Sequence, residues 1–484
     1  MINNEKKVLQ RQLSPMHVWA IAFGCIIGWG SFVNPGKKFL PNSGVAGTAI
    51  AMALGAIVMI IIAFSYAYMI PKYPKAGGEF TFTKECFGKT TAFICGWFLL
   101  AAYLTNVPMN STAIGLIVDG LDGNADVLKF GFHYTIAGFE IYFGEMIFAM
   151  TILIMFAVVN LLGVKKAGIV QTILASLLVI SVFTLAIAAL VSNKVQGINM
   201  VPIWGFDKSA AIAAGATTEN ISDFANGGPS GIVSAILATF AIAPWAYVGF
   251  DTIPQAAEEF KFSYKKVIGI MVIAILFGSF VYTTNNTVAA AALTNWPDRV
   301  MAGEWVLLIA ADEMLGVFGK VLIGTAVSCA VLSGIMGFYL ASSRLMYSMA
   351  KDCYLPGIFG KLDEKTGAPR NAIIFCLLIS LSGPILGREA LGWFVDMSAI
   401  GASMGFFFTC LSTYKKMRLD QDGNRFLKTM AVMGIIFSLV FMILQLIPIP
   451  GLNGVHFGTE SYIMLLVWIF VGLVSCCVKR PNSL

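Results

Sequence analysis

The chain has 484 residues, of which 58% are hydrophobic and 12% charged. A soluble domain carries about 25% charged residues, so this composition excludes a soluble globular protein and points to the bilayer. The net charge of +6 comes with no basic patch interleaved with aromatics, which leaves nucleic-acid binding unsupported.

A helix needs about 20 apolar residues to cross the roughly 30 Å hydrocarbon layer. In chain order the candidate spans are Met16–Val33, Phe39–Pro71, Thr90–Val118, Met146–Val164, Ala167–Asn193 and Phe224–Phe250. They continue with Val267–Pro297, Val321–Ser343, Asn371–Gly387, Ala390–Tyr414, Thr429–Ile447 and Ser461–Val478. The expected architecture is therefore an all-α polytopic membrane protein of about 12 transmembrane helices. A β-barrel is excluded, since these runs exceed ~10 residues and lack apolar/polar alternation. With the N-terminus in the cytoplasm, 24 of the 32 Lys and Arg fall on inner segments, which places both termini inside. The first apolar run exceeds a signal-peptide core and lacks a small-x-small exit, so it reads as the first span. Nine cysteines show no CxxC or Cys/His spacing, so neither a disulfide nor a metal site is expected. No cofactor motif occurs.

Punctuation is concentrated in a few places. Gly24, Gly28 and Gly30 interrupt span 1 within Phe23–Gly36. Pro74, Gly77, Gly78 and Gly88 mark Lys72–Lys89 as partly re-entrant or lying along the inner surface. Span 6 carries Ala243-Pro244-Trp245. Spans 1 and 6 each open a set of five, and five is odd, so the two halves run oppositely through the membrane. Interrupted helices at matching places in two halves are the sequence pointer to a transporter's binding site.

Two readings of the span-1 glycines stand side by side. Gly24-x-x-x-Gly28 suits close helix packing. A break at 28–30 instead frees the N–H groups of Trp29, Gly30 and Ser31 and aims a helix N-terminus at an anion. Unwound backbone persists in a bilayer only against protein or a watery cavity. In span 6, Pro244 cannot donate to the preceding turn, leaving carbonyls near Ala241–Ala243 for an ammonium. A carboxylate at one break and an ammonium at the other describe a zwitterionic amino acid.

The segment Gly24-Cys25-Ile26-Ile27-Gly28-Trp29-Gly30-Ser31-Phe32 resembles the first-helix motif G-x-I-I-G-S-G-I-F of the amino acid–polyamine–organocation (APC) superfamily of permeases. Pro74–Phe80 resembles that family's P-x-x-G-G-x-Y loop. Tyr247–Asp251 with Glu258-Glu259 resembles its sixth helix, and Ser343–Asp352 with Leu355-Pro356 and Ala368-Pro369 the inner end of its eighth. The resemblance implies the leucine-transporter fold, a 5+5 inverted repeat with helices 1 and 6 broken. The implied layout is a cytoplasmic tail (1–15), a first repeat (16–193), an extracellular loop (194–230), a second repeat (231–414), helices 11–12 (415–478) and a second tail (479–484). It also implies carboxylate binding by the backbone of Gly28, Trp29 and Gly30. The carbonyls of Ile26, Trp245 and Val248 would take the amino group, the Trp245 ring would shelter the side chain, and Asp251 would serve gating or proton coupling. Two departures stand out: Trp29 replaces the family's small serine, and Leu178 occupies the place of a span-5 lysine found in many relatives.

Other polar residues carry weaker expectations. Asn106 and Asn110 share a helical face and either line the pocket, with Asn106 and Ala243 joining the substrate contacts, or bond neighbouring helices. Asp251 is either functional or a solvated helix end; Asp396 is functional or pairs with Arg388 or Lys320. Ser328 and Ser333 either help ligate sodium or hydrogen-bond within the bundle. Asn285 and Asn286 are expected near the outer interface. His17, His133 and His456 lack second ligands, so no metal is expected. The leading function is secondary transport of an amino acid or related amine by alternating access across the plasma membrane, coupled to a proton, sodium or a counter-moving substrate. The alternatives are an organic-cation carrier without carboxylate recognition and a non-transporting sensor. A membrane enzyme finds no nucleophile motif or Walker A sequence.

Overall fold

Ser14 sets where the chain becomes helical. Its hydroxyl accepts the His17 N–H at 3.3 Å, and Pro15 takes the first helical position, where a missing N–H costs nothing. The computed structural model describes residues 9–121, 126–136, 139–387, 390–449 and 456–478. Helix α1 (Pro15–Ile26) stops at Ile27, which is extended at φ −93° and ψ 95°. Helix resumes as α2 (Gly30–Asn34), widens into a π turn at Pro35–Phe39 and continues as α3 (Leu40–Lys72). Gly44, at φ +62°, bends the start of that stretch where the loop carbonyl of Ile203 presses against it.

Short α4 (Gly78–Phe87) follows, entered through left-handed Gly77 and left through Gly88. Its residues Gly78–Thr83 are all buried, so Lys72–Lys89 enters the bundle rather than lying along its surface. Next come α5 (Lys89–Leu121), a two-stranded antiparallel sheet pairing His133–Ile136 with Phe139–Tyr142, α6 (Phe143–Leu161) and α7 (Val164–Val191). A long connection holds α8 (Lys208–Ala213). Beyond it, α9 (Gly228–Phe240), α10 (Ala243–Ala246) and a 3-10 segment (Phe250–Glu259) replace one continuous span. The remaining helices are α11 (Val267–Ala291), α12 (Trp296–Met301), α13 (Val306–Leu315), α14 (Val317–Lys351), α15 (Arg370–Ser380), α16 (Ser382–Leu386), α17 (Ala390–Leu419), α18 (Arg425–Leu446) and α19 (Thr459–Val478).

The protein is an all-α polytopic membrane protein. Among the described residues, nine helical stretches are long and apolar enough to span, and Pro15–Ile26, Arg370–Leu386 and Thr459–Ser475 are shorter apolar helices. One of the nine, Gly30–Lys72, joins the second half of span 1 to span 2. Exposed Ile57, Ile180, Leu190 and Leu466 present the apolar outer surface that lipid requires.

Helix α5 runs through the middle and packs on both α14 and α17. Small residues permit this close approach: a Cβ on Gly401 of α17 would run into the Phe98 carbonyl, and on α16, which also meets α5, one on Gly383 would run into the Pro108 side chain. At the lysine-rich end, Arg344 of α14 grips Glu259 with two 3.1 Å contacts, Nε to Oε2 and Nη2 to Oε1. Both side chains are buried. The chain before α1 seals the same end: Gln12 and Leu13 donate backbone N–H to the Glu259 carbonyl at 2.9 Å, and Lys261 returns one to Leu13.

Removing one partner of a buried, bidentate pair strands the other charge and costs about 3–5 kcal/mol, whereas an apolar replacement of both is far milder. R344M should therefore lower the unfolding temperature in detergent more than R344M/E259M does, as differential scanning fluorimetry will read.

Candidate functional site

The helix breaks differ in detail from the sequence expectation. Span 1 opens at Ile27–Trp29, and Gly30 is already helical. Ser31 is not free: its N–H bonds the Gly28 carbonyl at 3.2 Å. At this break, among the described residues, the amides of Gly28, Trp29 and Gly30 are the ones without a protein acceptor. The free set is thus shifted one residue toward the N-terminus.

In span 6 the disturbance surrounds Pro244 instead of sitting on it. Ala243–Ala246 forms one helical turn, flanked by irregular backbone at 241–242 and 247–249. The carbonyls of Ile242 and Ala243 accept the N–H groups of Ala246 and Tyr247 at 2.9 and 3.0 Å, so that part of the expected ammonium site is already committed. Gly249 makes the sharper departure, at φ +142°, a conformation suited to glycine. A Cβ there would lie 2.6 Å from the Ile26 nitrogen and 2.8 Å from Cys25 Cβ. This close backbone approach brings the two breaks together.

Between them lies a narrow cavity lined by Cys25, Ile26, Gly28, Trp29, Asn106, Met109, Asn110, Trp245, Val248, Tyr282 and Phe338. No lining side chain is charged. Six sequence-derived candidates, Ile26, Gly28, Trp29, Asn106, Trp245 and Val248, share this wall. Gly30 and Ala243 do not: Gly30 lies against the Trp245 ring, where a Cβ would collide with it, and Ala243 packs on Gly55 of α3. The Trp29 and Trp245 rings stand 6.2 Å apart at 56°. Their bulk leaves free space of about one water molecule, so a larger ligand enters only if these walls separate.

Polar groups in the wall are few and specific. Tyr282 donates to the Ile26 carbonyl at 3.4 Å. The Trp245 carbonyl receives the Val248 N–H at 3.2 Å. Asn110 donates through Nδ2 to the Asn106 carbonyl at 2.8 Å, and its buried Oδ1 has no partner. That oxygen would lie 3.6 Å from a Cβ on Gly28. Asn106 does both things expected of it: it lines the cavity and donates to Ser398 at 2.7 Å and to the Ala102 carbonyl.

Several residues of interest lie elsewhere. Asp251, fully buried, is no solvated helix end; its Oδ1 accepts the Gly249 N–H at 2.6 Å and its Oδ2 the Tyr103 hydroxyl at 3.1 Å. Asp396 receives the Ser461 hydroxyl at 2.6 Å. Lys320 pairs with Asp312 instead, and Arg388 lies outside the described residues. Asn285 and Asn286 are buried rather than interfacial, donating to the carbonyls of Ser31 and Gly44. Ser333 donates to the Gly24 carbonyl at 3.1 Å. Gln171 escaped the sequence reading: its Nε2 reaches the carbonyls of Ala20 and Ser333, each at 3.2 Å. A polar residue seven positions before Leu178 on an otherwise apolar span was the available signal. Met109, Tyr282 and Phe338 gave none, since apolar and aromatic residues are abundant throughout.

A family model described as amino acid permease matches residues 13–474. The chain belongs to the amino acid permease family. It is similar to a branched-chain amino acid permease of Bacillus subtilis, 24% identical over 97% of this chain and 93% of that one. An uncharacterized transporter of Rhizobium meliloti is 26% identical over 83% of this chain and 77% of that one. The mouse large neutral amino acids transporter small subunit 2 is 26% identical over 77% of this chain and 64% of its own length. The protein is thus a membrane amino acid transporter.

Gln171 ties α7 of the permease to both α1 and α14 through an uncharged amide. Replacing it with Met removes both side-chain bonds, at about 0.5–1.5 kcal/mol each. Q171M should lower the unfolding temperature without shifting tryptophan emission, because the cavity wall is untouched.

Proposed function

We propose that the permease carries a neutral amino acid with a branched or large apolar side chain, by alternating access around the cavity between helices 1 and 6. One observation supports this most: three adjacent backbone amides without acceptors, at a helix N-terminus, beside an uncharged apolar wall. Amides at Gly28, Trp29 and Gly30 suit a carboxylate. The carbonyls of Ile26, Trp245 and Val248 and the free Asn110 Oδ1 suit the ammonium. Val248, Met109, Phe338 and the two indoles suit an aliphatic side chain and oppose a charged one, which they would desolvate without a partner. The names of the Bacillus and mouse relatives point the same way. In this reading the chain forms twelve spans with a 5+5 inverted repeat, sits in the plasma membrane and keeps both termini in the cytoplasm. Trp29 and Trp245 close over the bound ligand. Asp251, three residues past Val248 and just beyond the bend at Gly249, governs the inner gate.

A thermal-shift assay with L-leucine, L-isoleucine, L-valine and isoamylamine tests this. A ligand bound at 100 times its dissociation constant stabilises the fold by about 2.7 kcal/mol. At least one of the three amino acids should shift the unfolding temperature, and isoamylamine, which is leucine without its carboxylate, should not. G30V pushes the Trp245 ring into the cavity and should abolish the shift in a bundle that still folds. An equal response to isoamylamine would favour an amine carrier.

A further inference from the structure

Tyr103 of α5 carries one hydroxyl proton and meets three acceptors. Its oxygen lies 2.8 Å from the Asp251 carbonyl, 3.1 Å from Asp251 Oδ2 and 3.5 Å from Glu79 Oε1. Glu79, on α4, is fully buried; its Oε1 also receives the Tyr66 hydroxyl at 2.7 Å, and its Oε2 receives Gln255 Nε2 at 2.7 Å. The other end of that Gln255 amide, Oε1, is buried without a donor. Two buried carboxyl groups thus share one phenol, and the acceptors outnumber the protons available to them.

No cation offsets the pair. Among the described residues, no ion pair includes Glu79 or Asp251, and the Arg344 guanidinium is spent on Glu259. Other titratable groups facing the cluster are Cys25 of α1, Tyr66 of α3, and Cys95 and Tyr103 of α5, all neutral when protonated. From α17, Gly405 approaches Glu79, an added Cβ lying 3.9 Å from its Cγ. The groups aimed at the carboxyls are O–H and N–H donors, whose positive ends would face a metal ion. Hard metal ions take several oxygen ligands, and donors directed at both carboxyls favour a proton over such an ion.

We infer that Glu79 and Asp251, bridged by Tyr103, form a proton-binding site, and that the proton held there is the coupling ion of the permease. The coupling part rests on the transport reading above. Two buried carboxylates this close cannot both stay ionised without a counter-charge; one proton removes the repulsion and supplies the absent donor. The site lies toward the lysine-rich end from the cavity, because Asp251 follows cavity-lining Val248 in the same unwound segment. Proton release would weaken the Tyr103 bridge between α5 and that segment, which is the contact an opening gate must break. Burial, and then the facing Asp251, push the Glu79 carboxyl up from its ordinary value. The native state therefore holds this proton more tightly than the unfolded chain. Stability from Glu79 is fully present below the unfolded value and is lost as pH rises through the native one.

Three measurements test this. Infrared difference spectra of the purified permease, taken between acidic and alkaline pH, should show a protonated-carboxyl band that titrates and is lost in E79Q; its absence in the unmodified protein would overturn the site itself. Proteoliposomes containing a trapped pH dye should acidify on addition of L-leucine, and an inward proton gradient should raise leucine accumulation at least tenfold. E79Q should keep leucine counterflow, showing a folded carrier, while losing both proton-dependent signals. Counterflow in the unmodified protein with no response to the gradient, or gradient-driven accumulation that survives in E79Q, refutes the coupling role. Absence of leucine counterflow in the unmodified protein, with the infrared band present, instead counts against leucine as substrate and leaves the proton site standing.

Discussion

A peptide group inside a bilayer has no water to bond, and this constraint governs the whole molecule. Most of the chain meets it by remaining helical. At Ile27–Trp29 and around Gly249 it cannot, and the surrounding structure makes up the difference. Side chains step in as surrogate partners: Asn285 donates to the Ser31 carbonyl, Ser333 to the Gly24 carbonyl, and Asp251 accepts the Gly249 N–H. What is left over is the amides of Gly28, Trp29 and Gly30, and the first two of these residues line the cavity. The unpaired groups are few because the bundle satisfies the others, and their concentration at one place is what the proposed binding site rests on.

The same economy explains the lysine-rich end. Buried charge there is arranged in two different ways. Arg344 and Glu259 neutralise each other through paired contacts and tie α14 to the end of span 6. Glu79 and Asp251 have only neutral donors. A charge matched by a countercharge holds structure; one matched only by hydrogen bonds is responsive to protons. One member of each arrangement, Asp251 and Glu259, lies on the same 3-10 segment, near its start and at its end.

Trp29 illustrates how a local departure is absorbed. Its indole replaces a small residue at the break, yet the backbone amide survives and remains unpaired. The ring lies against Trp245 and narrows the cavity. In the proposed reading carboxylate recognition is a backbone property and tolerates the change, while the space left for a side chain is a property of rings and does not.

Membrane residence, the all-helical class and the existence of two interrupted spans were legible from composition, charge-free runs and the Gly28-x-Gly30 and Pro244 signals, because the bilayer imposes length and polarity rules residue by residue. Of the cavity-lining residues, Trp29 could be named from the break itself, and Ile26, Gly28, Trp245 and Val248 through the resemblance of the surrounding motifs. Gly30 and Ala243 could not be separated from them, since which side of a turn faces a cavity depends on the neighbouring helices. Glu79 read only as one letter of a loop motif, and Gln171 as one polar residue on an apolar span. Their meaning depends on Tyr66, Tyr103, Gln255 and Asp251 in one case and on Ala20 and Ser333 in the other, partners 13 to 176 residues away. Only tertiary packing brings those groups within bonding distance, and so only the folded chain decides which buried polar atoms are satisfied and which are left to bind.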